Sequence, residues 1–472
     1  MTEQADRSVR PSDALWTAHE IARATGGITN QLFDVSGVTF DSREVQPGDL
    51  FVAMPGTIHD GHKFVDGAFA SGAAGAIVSR PVNGPHVLVE DTVAALQALA
   101  RAARDRCNAT IFGVTGSVGK TSTKEALYAA LDRNRPGKVH RSVKSYNNHT
   151  GVPLSLARMP RDAEFAVLEM GMNNAGEIRA LVAQVRPHVA LITTIAPAHI
   201  ENLGSEEAIA DAKAEIFEGL EPHGIAILPN DTPHRDRLLK AARRKAERII
   251  TFGTGDADVH AVHAVAAEGG GSLISAALLE RELTFTISQP GDHWVTNALA
   301  VLAAVEAAGA DVAVAALALA DLAGLKGRGA RHVIELAGGE AILIDESYNA
   351  NPASMAATLK SLGAERDVTR RIAVLGPMRE LGEHSAELHA GLAPAVLDAH
   401  VDELILIGEE MRPLAEQVVG KVSLDLVASV DEAIDGLIAK LHPGDAVLVK
   451  ASNSVGLAKL VDRVSGGLAC ST

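Results

Sequence analysis

The run Thr115-Gly116-Ser117-Val118-Gly119-Lys120-Thr121 places two glycines, an ammonium and a hydroxyl within one short stretch. Apolar residues 109–114 precede it and a helix-compatible segment, 122–131, follows. Strand, glycine loop and helix in that order make a phosphate cradle. Backbone N–H groups near Gly116 and Gly119 approach phosphate oxygens, Lys120 adds a point charge, and the Thr121 hydroxyl is a ligand for Mg²⁺. The common P-loop sets four residues between its first glycine and Gly-Lys. Here Gly113 falls one position too early for that spacing, so the loop is the tighter Thr-Gly-x-x-Gly-Lys-Thr. The pattern predicts nucleoside triphosphate binding and leaves the reaction open.

In open α/β sheets, ligands bind beyond the carboxyl ends of strands. Strands are expected at 166–169, 189–193, 225–228 and 249–252, and again at 342–344, 372–375, 404–407 and 446–449. Unusual polar residues stand just after several of them: Glu169, His199, residues 345–351, Arg379 and residues 450–454. Glu169 is placed to hold Mg²⁺ directly or through water. His199 reads either as a cation ligand or phosphate-orienting group, or as an ordinary loop histidine. Lys213 lies in a predicted helix, 205–220, on the face shared by Ile209, Ile216 and Phe217. Its stem snorkels to the surface, or the amine is altered by CO₂ to a carbamate, an anion able to bind a second Mg²⁺. The segment from Asp345 to Pro352 reads a ribose or an adenine edge, caps the following helix, or does both. Arg43, after Asp41-Ser42, forks onto a diphosphate or forms a surface ion pair.

These groups need a scaffold. The chain has 472 residues, 47 % hydrophobic and only 3 % aromatic. That length exceeds one ordinary core, and that composition suits α/β layers. Three blocks follow from the alternation of strands and helices: 1–108 with short strands and turns, 109–330 opening with the glycine loop, and 331–472 as a further α/β unit. The expected fold is therefore α/β in three domains: a small N-terminal α/β domain, a central P-loop parallel sheet with flanking helices, and a Rossmann-like C-terminal domain. Residues 258–288 alternate like antiparallel hairpins around Gly269-Gly270-Gly271. A net charge of −16 argues against nucleic acid as a partner. The two cysteines, Cys107 and Cys470, are too few for a disulfide framework and fit a reducing, cytoplasmic setting. Residues 1–16 lack the apolar core of a signal peptide, and the alanine-rich stretch 298–320 reads as two helices rather than a membrane span.

Taken together, these segments resemble the Mur ligases, the ATP-dependent amide-forming enzymes of peptidoglycan synthesis. The glycine loop is shared across that family. Other stretches resemble its D-alanyl-D-alanine-adding branch: Asp41-Ser42-Arg43 with Pro47-Gly48-Asp49-Leu50-Phe51, Asn147-Asn148 with Gly151-Val152-Pro153, Ala198-His199 through to Phe217, and Ser347-Tyr348-Asn349-Ala350-Asn351-Pro352. The resemblance implies that ATP phosphorylates the terminal carboxylate of a UDP-linked muramoyl-tripeptide and that the amine of D-alanyl-D-alanine then displaces phosphate. It implies ATP contacts from Thr115 to Thr121 and from Asn297, Arg328 and Asp345. It also implies two Mg²⁺ ions held by Thr121, Glu169, His199 and a carbamylated Lys213, with Lys120, Glu169, His199 and Lys213 catalytic. The UDP-sugar peptide falls to Ser42, Arg43, Asn147 and Asn148. The expected enzyme is a monomer acting on small molecules, not embedded in a membrane. His149, Pro377 and Asn453 depart from the family's usual residues at their positions. A sister ligase with another acceptor and a nucleotide switch without ligase activity are the alternatives.

Overall fold

The computed structural model describes residues 14–56, 60–267 and 270–466. Cys470, Gly269 and most of the N-terminal stretch lie outside the described residues. The strands gather into three principal sheets, drawn from residues 28–88, 110–287 and 330–450.

The central sheet has nine strands. The glycine-loop strand Thr110–Thr115 lies inside it, parallel to Phe165–Glu169 on one side and to Val189–Ile192 on the other. Ile225–Pro229, Arg248–Gly253 and Val259–Ala266 continue the parallel run. Ser272–Ala277 and Glu282–Ile287 close the edge as antiparallel hairpins. Period-two alternation explains the layering. Phe112, Val114 and Val167 point to one core, with helices Lys120–Asn134, Asp292–Ala307 and Val312–Ala320 packed over them. Ile111, Ala166 and Leu168 point to the other, covered by Glu177–Val185 and Glu206–Ala214. A buried Phe, Leu, Ile or Val side chain contributes about 1.5–3 kcal/mol, so both faces hold the glycine-loop strand firmly.

The C-terminal sheet has six strands, in the order Ala330–Leu336, Gly339–Glu346, Asp445–Lys450, Arg370–Leu375, Glu403–Ile407 and Ser423–Val427. Only its first pair is antiparallel. The N-terminal sheet has five shorter strands. The alanine-rich stretch forms two separate helices, and among the described residues no helix is long and apolar enough to cross a membrane.

One expected element differs. The single helix at 205–220 is an α-helix only over Glu206–Ala214, then tightens to a 3₁₀ turn over Glu215–Gly219. The Glu215 carboxylate is drawn to the backbone N–H groups of Gly176 at 2.8 Å and Arg179 at 3.0 Å. That pull and the approach to Gly219 favour the tighter winding common at helix ends.

Candidate active site

The glycine loop is shaped by its neighbours. Gly116 has φ +154°, and a Cβ there would overlap the Thr193 hydroxyl. Gly119 has φ +82° and begins the helix Lys120–Asn134 with no side-chain cap. The first-turn N–H groups of that helix are therefore available to an anion. Ser117 locks the loop to the segment after Val189–Ile192: its N–H donates to the Thr194 carbonyl at 2.8 Å and its hydroxyl to the Ala196 carbonyl at 2.9 Å. Thr193 Oγ1 donates to the Val118 carbonyl at 2.5 Å. The Lys120 ammonium folds back to the Gly116 carbonyl at 2.6 Å. Burial lowers its pKa, with Glu169 opposing and Arg328 reinforcing that shift.

Around the loop lies a cavity of about 630 Å³ walled by the central and C-terminal units. Ser117 to Thr121, Asn147, Glu169, His199, Asn297 and Arg328, all expected from the sequence, line it together. Asn297 abuts the loop closely enough that a Cβ on Gly119 would come within 2.9 Å of its Oδ1. Glu169 is 1 % exposed and accepts from Thr121 Oγ1 at 2.9 Å and Asn147 Nδ2 at 2.8 Å. His199, with φ +62°, pairs through Nδ1 with Glu380 of the C-terminal unit. Arg328 stacks its guanidinium 4.4 Å from the Tyr348 ring centre.

Other expected residues lie outside the cavity lining. Thr115 is buried beneath it, and its hydroxyl has no hydrogen-bond partner. Asp345 is fully buried and accepts from the Gly327 N–H at 2.7 Å and the Ser347 hydroxyl at 2.6 Å. It thus anchors the loop that presents Arg328. Asn148 stands ahead of the helix Gly151–Ala157 and accepts from the Gly151 N–H at 2.9 Å. Arg43 is 87 % exposed and forks onto Asp41, which holds the Asp41 carboxyl down at about 2. Its turn reaches the central unit through Glu44, which pairs with Lys144 and accepts from the Tyr146 hydroxyl at 3.2 Å.

Lys213 does not snorkel. It is 1 % exposed, and no hydrogen bond or ion pair engages its ammonium among the described residues. Burial, with like-charge repulsion from Lys120, pushes its pKa well below the ordinary lysine range. A buried cation without a partner is costly, and that cost favours the uncharged amine.

The sequence assigned no role to several lining residues. His293 and Trp294 reach the cavity from the helix Asp292–Ala307. Lys450 is 2 % exposed and donates to the Asn349 carbonyl at 2.9 Å. Its strand-end position had marked it in the sequence without giving it a role. Lys124 went unnoticed as well. It is wholly buried, donates to the Lys144 carbonyl at 3.0 Å and stands 3.9 Å from Glu169.

The donor set around Glu169 suits a hard cation. It offers a buried carboxylate and a hydroxyl, both oxygen ligands. Among the described residues no group of three or more His, Cys, Asp and Glu side chains has metal-binding geometry. A Mg²⁺ ion there would complete its shell with phosphate oxygens and water, as that ion commonly does.

Known proteins resemble the chain along most of its length. Three sequence profiles match: Mur ligase family, catalytic domain over residues 34–109, Mur ligase middle domain over 114–305, and Mur ligase, glutamate ligase domain over 332–453. The UDP-N-acetylmuramoyl-tripeptide–D-alanyl-D-alanine ligase of Synechocystis sp. is 35 % identical, across 93 % of this chain and 94 % of that protein. The crystal structure of MurF from Acinetobacter baumannii superposes with a TM-score of 0.83 at 29 % identity, covering 96 % of this chain and 99 % of that one. MurF from Thermotoga maritima in complex with ADP superposes with a TM-score of 0.75 at 29 % identity, covering 92 % and 97 %.

Proposed function

The chain belongs to the Mur ligase family, and from that premise we propose how its cavity joins an acid to an amine. It is an ATP-dependent ligase that adds D-alanyl-D-alanine to UDP-N-acetylmuramoyl-tripeptide in peptidoglycan synthesis. The observation that carries this reading is the convergence of the glycine loop, Glu169, Asn297 and Arg328 on one cavity between two units.

The γ-phosphoryl group of ATP passes to the terminal carboxylate of the tripeptide, giving an acyl phosphate and ADP. The amine of D-alanyl-D-alanine attacks the acyl carbon, the C–O bond to phosphate breaks, and the amine loses a proton. Lys120 and the first-turn N–H groups would meet the β- and γ-phosphates, and Arg328 and Asn297 would contact the nucleotide. Such positioning and charge stabilisation are the main catalytic contributions in phosphoryl transfer. Asp345 acts one step back, holding the Gly327-Arg328 turn.

Thr121, Glu169 and His199 would hold Mg²⁺, and a carbamate on Lys213 would serve a second ion. Bound there, the ions would neutralise charge on the phosphates. The burial of Lys213 and the lowering of its pKa support the carbamate, since only an uncharged amine attacks CO₂. Ser42, Arg43, Asn147 and Asn148 are assigned to the UDP-linked peptide. We also take domain boundaries near 108 and 330, a monomeric state and a cytoplasmic setting.

The test is phosphate release with UDP-N-acetylmuramoyl-tripeptide and D-alanyl-D-alanine each omitted in turn. Release that needs both is expected. Release indifferent to both would sink the ligase reading in favour of a nucleotide switch.

A further inference from the structure

Lys124 lies one turn beyond Lys120 on the helix that the glycine loop begins. Its side chain is wholly buried, and its ammonium is shared by the Lys144 carbonyl at 3.0 Å, Glu125 at 2.9 Å and Glu169 at 3.9 Å. Lys144 has φ +52°, a left-handed conformation in which a non-glycine residue is strained. Two contacts engage that residue, one at its carbonyl and one at its ammonium. Lys124 takes the Lys144 carbonyl, and Glu44 takes the Lys144 ammonium. The Glu44 N–H in turn donates to the Asp41 carbonyl at 3.0 Å. An unbroken chain of polar contacts therefore runs from the nucleotide helix to the Asp41-Ser42-Arg43 turn. Glu169 ties into its near end through Thr121 and Asn147.

We propose that Lys124, Lys144 and Glu44 form a relay that couples occupancy of the glycine loop to the affinity of the Asp41-Ser42-Arg43 turn for a nucleoside-diphosphate sugar. This rests on the reading that the turn holds the UDP-linked substrate. A ligand whose phosphates draw in the N–H groups of the first helical turn moves the surroundings of Lys124 with it. The strained Lys144 backbone then has a held and a released arrangement, and both sites bias the choice. Lys124 is thus a positioning residue, acting through Lys144.

The experiment measures the calorimetric Kd of UDP-N-acetylmuramoyl-tripeptide for the full chain, with and without saturating ADP. Wild type should show a difference of about fivefold or more, the lower range for coupled sites. Glu44→Gln and Lys124→Met should each bring that ratio to about one, and the double variant should do no more than either alone. Glu44 is 25 % exposed, so its variant keeps the fold if the buried Lys124→Met does not. A loss of stability alone would leave the ratio unchanged. A wild-type ratio of one, or a ratio unaltered in Glu44→Gln, overturns the relay. Arg43→Ala is measured beside them. It should weaken the UDP-linked ligand about tenfold, and wild-type affinity there would remove the substrate-turn assignment while the ratios still judge the relay.

Discussion

Lys213 shows how burial becomes chemistry. Its ammonium shares a face with Ile209, Ile216 and Phe217, all buried, and finds no counter-ion among the described residues. An acid at the end of its side chain would instead meet the neighbouring Lys120, whose like charge adds to burial in lowering the pKa of the amine. Lys213→Ala should therefore lose at least about 100-fold in turnover, the scale of removing one charge-stabilising group. Short carboxylic acids should restore part of the rate, and ¹³CO₂ should give wild type a carbamate carbon signal absent from the variant. No rescue and no such signal would remove the carbamate. Sequence spacing put Lys213 on the apolar face but could not exclude snorkelling, because the depth of burial depends on packing from Glu177–Val185 and from the 3₁₀ turn. Lys124 was less legible still. Four residues beyond Lys120 in a hydrophilic run, it has the same pattern whether the helix faces water or the Lys144 carbonyl.

At the scale of elements, the glycine loop is a compromise between two strands. Gly116 lets it pass against Thr193 with a φ that L side chains rarely adopt. Gly116→Ala forces the new methyl into the Thr193 hydroxyl. It should cost about 1–3 kcal/mol of backbone strain and weaken ADP binding at least about tenfold, read by calorimetry beside a melting curve. Wild-type ADP affinity in that variant would contradict the cradle. Apolar strands such as Thr110–Thr115 and Phe165–Glu169 were visible in the sequence because both their faces are covered. Val139–Arg141, Ala330–Leu336 and Ser423–Val427 were not. Each lies at a sheet edge and carries a half-buried pattern that gives little periodic signal.

At the scale of the molecule, the site belongs to the assembly of units rather than to any one of them. The central unit supplies Lys120, Thr121 and Glu169, and the C-terminal unit supplies Tyr348 and Lys450 to the same cavity. His199 and Glu380 meet across the boundary, each with φ +62°. The sequence pointed to His199 from its strand-end position, yet Glu380 carries no motif. Its partner stands 181 residues away in sequence, and only the packing of one sheet unit against the other brings the two together. The Asp41-Ser42-Arg43 turn is linked to the cavity through Glu44, which pairs with Lys144 in the loop that also bears Asn147. Such an arrangement suits a reaction in which ATP, an acid and an amine must meet in order, with the acid activated before the amine arrives. That activation is the central claim, and oxygen tracing tests it most directly. Tripeptide substrate labelled with ¹⁸O in its terminal carboxylate is turned over with ATP and D-alanyl-D-alanine, and the released phosphate is weighed by mass spectrometry. One ¹⁸O per phosphate is expected, carried from the carboxylate through the acyl phosphate. Phosphate bearing only unlabelled oxygen would contradict the account.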